Sequence, residues 1–214
     1  MPDRRFASLT AAVVAAGLLA VACSPGDAIR EQSAAVRVGD ATVSRSDFQE
    51  QLDLVYERDD LRGYLFAGVA REQLRADDDP LGSYTQQYAG ALASLHVQFL
   101  LAAQVLDDEG LDLTDDDRSA VVDELDGALR GGADSLPDAT RDDLVEGIAA
   151  FGRLRAEYDQ DELDALVTGA LTDSKIVVNS RYGSWDGELR TVTPPEGPAP
   201  APGAGGDQSG PLPE

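Results

Sequence analysis

The chain has 214 residues, enough for one ordinary domain with tails. It carries 40 Asp and Glu against 17 Lys and Arg, a formal net charge of −23. A field of that sign repels phosphate backbones and anionic headgroups, which excludes nucleic acid as a partner and membrane contact through a basic surface.

The first 22 residues read as a secretory signal peptide: Arg4 and Arg5 near the start, an apolar run from Leu9 to Ala22, and small residues before Cys23. The run is too short to span a bilayer, which takes about 20 apolar residues. Leu19-Ala20-Val21-Ala22-Cys23 resembles the lipobox of bacterial lipoproteins, with Ala20 where that family usually has leucine. The resemblance implies that Cys23 becomes a diacylglyceryl-modified N-terminus. The lipid then holds the processed chain on the extracytoplasmic face of the cell membrane. The alternative is an ordinary secreted protein with a free thiol. Cys23 is the only cysteine, so no disulfide forms within one chain and the fold must rely on its core. Residues 23–34 are mostly small and polar and read as a lipidated tether.

Val36-Arg37-Val38 and Ala41-Thr42-Val43 flank Gly39-Asp40, a two-residue hairpin signal in which glycine supplies positive φ. Ser44 with Asp47 three residues later is a helix N-cap signature. Phe48, Leu52 and Val55 then recur at helical spacing. Over 59–83, Leu61, Leu65 and Val69 line one helix face, weakened by Gly63 and Gly68. Asp77-Asp78-Asp79-Pro80 reads as a solvated loop, because it lacks the alternating ligands, central Gly and later Glu of a calcium loop.

The strongest predicted helix is 84–108, where Tyr84, Tyr88, Leu92, Leu95, Phe99, Ala102 and Leu106 step by three or four until Gly110. His96, the only histidine, sits on the shoulder of this stripe and reads as a boundary or surface residue. With no second histidine and no spare cysteine, no metal site or cofactor is expected. Thr114 with Asp117 caps the next helix, carried by Val121, Leu125, Ala128 and Leu129 and ended by Gly131-Gly132. Thr140 with Asp143 predicts a further cap before Leu144, Ile148, Phe151 and Leu154. Leu163, Leu166, Val167 and Leu171 extend that helix or form another.

Lys175 to Asn179 is a β-branched run and reads as a strand. Tyr182 and Trp185 are expected to pack its end onto the helices; the alternative is an aromatic contact for a client. Residues 191–214, rich in Pro and Gly, cannot offset their ordering entropy and are expected to be disordered. The domain is therefore expected at 35–190.

Three segments, in this order, resemble landmarks of the N-terminal chaperone domain of the SurA/PrsA family. They are the hairpin and capped helix from Val36 to Val55, the junction from Phe99 through Gly110 to Asp115, and Ile176-Val177-Val178-Asn179-Ser180-Arg181-Tyr182-Gly183. The resemblance implies a mainly α, helical domain with a small β-sheet formed from both ends of the domain. It also implies binding of unfolded or secreted client proteins outside the cytoplasm. On that reading an apolar groove lined by Phe48, Leu52, Leu61, Leu65, Val69, Tyr84 and Tyr88 holds the client. Many relatives carry a parvulin prolyl-isomerase domain; no segment here has room for one, and the histidine pair typical of parvulin sites is missing.

No nucleophilic triad or phosphate loop stands out, and no catalytic residue is assigned. Acidic pairs such as Asp142-Asp143 or Asp161-Glu162 read as solvated helix faces. Two further functions stay open. One is a structural or adaptor lipoprotein that binds a single cell-envelope partner. The other is an enzyme with an acidic site that only a shaped cleft would reveal.

Overall fold

The computed structural model describes residues 33–67 and 85–193. These form strands β1 (Ala34–Val38) and β2 (Ala41–Ser44), helices α1 (Arg45–Glu57), α2 (Asp59–Leu65), α3 (Gln86–Asp108), α4 (Asp115–Ala128), α5 (Asp138–Glu157) and α6 (Gln160–Asp173), and strands β3 (Ile176–Val178), β4 (Ser184–Asp186) and β5 (Thr191–Thr193). The leader, Cys23, Val69, the Asp77-Asp78-Asp79 run, Tyr84 and residues 194–214 lie outside the described residues.

The predicted hairpin is present. Val36 pairs with Val43 and Val38 with Ala41 across the Gly39-Asp40 turn, with Gly39 at φ 56°. β1 is the central strand, because its other edge takes β3 antiparallel, with Val36 opposite Val178 and Val38 opposite Ile176. The Gly39 amide also donates to the Lys175 carbonyl at 3.1 Å, which continues the pairing past β3. The fold is mainly helical with small antiparallel sheets, and the larger sheet joins the two ends of the helical region.

Ser44 caps α1 as its spacing predicts, its Oγ accepting from the Asp47 amide at 3.2 Å. Thr114 and Asp117 form a reciprocal capping box on α4, satisfying two otherwise free amides. The Thr140 cap is not formed: α5 starts at Asp138 after Pro137. Proline fixes φ and lacks an N–H, so it sets the boundary there. Thr140 is instead buried within the first turn. Leu163 to Leu171 belong to a separate helix, α6, opened by a capping box between Asp159 and Glu162.

Helix α3 forms the axis of the core and packs against α5, α6, β1 and β5. Gln87–Asp108 is long and apolar enough to cross a membrane, yet 67% of its most apolar window is buried inside the fold, as a core helix requires. At the α1–α2 corner Arg62 is buried, donates to the Val55 and Tyr56 carbonyls, and pairs with Asp59. This guanidinium satisfies carbonyls that the end of α1 leaves free.

The folded unit runs past residue 190. Val192 on β5 is buried, and its amide donates to Ser94 Oγ on α3 at 2.8 Å. Ser94 in turn donates to the Gly90 carbonyl at 2.8 Å. The strand comes so near that a Cβ on Gly90 would stand 3.2 Å from the Val192 carbonyl oxygen. Thr191–Thr193, read from sequence as the start of the tail, is therefore part of the packed domain.

Candidate binding grooves

Most of the side chains expected to line a client groove lie in the closed core. Phe48 and Leu61 are 0% exposed, Leu52 is 1% and Tyr88 is 4%. The Phe48 ring packs on Tyr182 at 4.5 Å, which ties the chain after β3 onto α1. Leu65 is half-buried, and Val69 and Tyr84 fall outside the described residues. Between α1, α2, α3 and α5 only about 10 Å³ stays open, lined by Leu61, Leu65, Leu92 and His96 among others. Large apolar side chains gain most by leaving water, and here they meet one another and leave no open channel.

His96 is buried, not at the boundary. Its stripe shoulder is covered because partners surround α3 on several sides, including Phe48 and Phe99 against the imidazole. Its Nε2 lies 2.5 Å from Gln51 Oε1, and Gln51 Nε2 donates to Asp143 Oδ2 at 2.9 Å. With the amide nitrogen turned to Asp143, the oxygen accepts from an Nε2–H tautomer. Burial pushes the imidazole from 6.5 down to about 4, so it is neutral near pH 7. Burial raises the Asp143 carboxyl, opposed by the hydrogen bond from Gln51. The chain thus links the centre of the core to the edge of α5. It is a satisfied polar network with no substrate cavity beside it.

Two open concave surfaces lie on either side of α6, and a polar one of about 360 Å³ lies on the β1–β2 hairpin. One, of about 520 Å³, runs between the end of α3 and α6 and is bordered by Asp108, Glu109, Glu162 and Asp173. Tyr158 bridges its rim by donating to Glu109 Oε2 at 3.1 Å. The other, of about 250 Å³, is bounded by α3, α5, α6 and the β4–β5 hairpin. Leu101, Phe151, Leu163, Val167, Leu171 and Trp185 give it an apolar floor, and Arg155 and Arg190 stand at its edge. Arg190 reaches α6, donating to Thr168 Oγ1 at 2.9 Å and lying 3.5 Å from Asp164.

Trp185 is half-buried. It both packs the hairpin onto the helices and shows part of its ring to this groove. Neither groove is legible in the sequence, because their walls come from segments far apart in the chain. The one sequence signal was the lone tryptophan beside an end strand. Among the described residues, Leu189 at the hairpin tip is the exposed large hydrophobic, at 68%. Also among them, no three His, Cys, Asp or Glu side chains are grouped to hold a metal ion. Both grooves are suited to noncovalent capture of side chains. Comparison with protein-family models, with curated proteins and with solved structures finds no match to this chain.

Proposed function

We propose that the processed chain is an extracytoplasmic lipoprotein, anchored through Cys23, that acts as a SurA-like chaperone for unfolded or secreted clients without prolyl-isomerase chemistry. The observation that supports this reading is the position of β1 between β2 and β3, with a capped α1 and a long core α3 behind it. That is the arrangement the resemblance in Val36–Val55 and Ile176–Gly183 implies. On this reading clients are held in the grooves beside α6, because Phe48, Leu52, Leu61 and Tyr88 are buried. An architecture is an associational warrant for function, so the test is direct. Residues 24–214, which keep every described element, are mixed at equal molarity with a slowly aggregating unfolded client. Suppressed aggregation with no acceleration of prolyl isomerisation is expected. No protection across several unrelated clients rejects the reading.

The adaptor reading is favoured by one specific observation. With Leu189 as the exposed large hydrophobic among the described residues, broad apolar capture has little surface to act on. A single matched partner in the grooves fits such a surface. Crosslinking in intact cells followed by recovery of one dominant envelope protein, without general protection of clients, would establish it.

A further inference from the structure

We propose that the groove beneath Trp185 docks polypeptide segments that place a large apolar side chain next to a carboxylate. This rests on the reading that the chain holds polypeptides, and it specifies which ones.

At about 250 Å³ the groove falls below the roughly 300 Å³ at which pockets for drug-sized ligands begin. It suits one or two side chains of a peptide. Its floor is apolar, with Leu163 buried and Phe151, Val167, Leu171 and Trp185 half-buried. Its edge is basic. Arg155 is exposed on α5 and makes no hydrogen bond or ion pair among the described residues. On a chain of net charge −23 this guanidinium is an unpaired cation set at the edge of an apolar groove. An acidic segment is repelled by most of the surface and attracted here, where a carboxylate can be held by two parallel hydrogen bonds. The acidic groove on the other side of α6 has the opposite preference.

A second observation concerns Arg190. Among the described residues it is the non-glycine residue with positive φ, 51°. Side chains adopt that region at a cost, and such residues collect at binding sites. Here the conformation turns the Arg190 side chain back over α6, onto Thr168 and Asp164, at the border of the groove.

Trp185 is the only tryptophan of the chain, so its fluorescence reports on this groove alone. Residues 24–214 are titrated with a blocked pentapeptide carrying two phenylalanines around an aspartate, and with its lysine counterpart. A saturable change in emission is expected with the aspartate peptide, about fivefold or more weaker with the lysine peptide and in Arg155→Gln. Arg155 is exposed, so this variant keeps its fold, which an unchanged melting temperature verifies. Equal affinity for both peptides, or unchanged affinity in Arg155→Gln, overturns the proposal. Emission that changes with protein concentration alone, together with a dimer in sedimentation, also overturns it and assigns the groove to a second copy.

The client assay separates this proposal from the reading it rests on. Full protection of clients by Arg155→Gln that no longer binds peptide rejects the groove as the client surface and leaves the chaperone reading standing. Peptide binding without protection of any client retains the groove and rejects the chaperone.

Discussion

Gly147 of α5 lies against the ring of Phe99 on α3, so near that a Cβ at this glycine would stand 2.2 Å from the ring Cγ. Two helices approach this closely only where one presents no side chain. Alanine in a helix is favoured over glycine by about 1 kcal/mol, but overlap with a buried ring opposes that gain. Phe99 is 7% exposed and is flanked by His96 and Phe151, so it has no space to yield. Gly147→Ala is expected to lower stability by about 1–3 kcal/mol net. Its urea midpoint checks this, and an unchanged or higher midpoint would show that α3 and α5 can separate freely.

Ser94 serves both α3 and β5. Removing its hydroxyl leaves the buried Val192 amide without an acceptor, which costs about 1–3 kcal/mol. Ser94→Ala should therefore destabilise the fold and speed hydrogen exchange at Val192 more than at β1. Uniform exchange rates across both sheets would mean that the serine does not hold the hairpin.

Acid should weaken the fold through His96. Its imidazole is held from 6.5 down to about 4 by burial. Between those values the unfolded chain binds a proton that the folded chain refuses, so stability is full above pH 6.5 and falls as pH drops towards 4. At about 1.4 kcal/mol per pH unit the loss amounts to at most about 3 kcal/mol. Asp143 works the other way: burial raises its carboxyl, so on acidification the folded chain takes up that proton before the unfolded chain does. Denaturation curves at pH 7 and pH 4.5 should differ much less in His96→Gln than in the parent. Equal differences would assign the acid sensitivity to other groups.

Cys23→Ser tests the anchor. Two acyl chains give stable membrane attachment, where one alone is marginal. The variant should lose fatty-acid label and leave the membrane fraction. If the parent chain carries no label and fractionates as soluble, Cys23 is a plain thiol and the anchor is absent.

Local chemistry made part of this fold legible. The Gly39-Asp40 turn, the Ser44 and Thr114 caps and the α3 stripe are each encoded within a few residues, and each is present. Thr140 followed by Asp143 has the same spacing as a cap, but Pro137 had already set the helix start. The Asp159–Glu162 box is written in the same code, but among neighbouring acids it has the look of a solvated face. His96 looked like a boundary residue because a stripe seen from sequence has two edges, whereas α3 is covered on several sides. The β4–β5 hairpin has only three residues in each strand, and proline follows it, so nothing local separated it from the tail. The Trp185 groove draws its walls from three helices and the β4–β5 hairpin, which no short-range pattern encodes.

The place of β1 also dictates an order of assembly. A chain that emerges N-terminus first presents Ala35, Val36 and Val38 early, but Ile176–Val178 close the second edge of that strand only after every described helix has appeared. Until then an apolar strand edge is open to pairing with other chains, and such distant pairing is slow to form. A product truncated after α6 would keep the six described α-helices and still lack the strand that completes the three-stranded sheet.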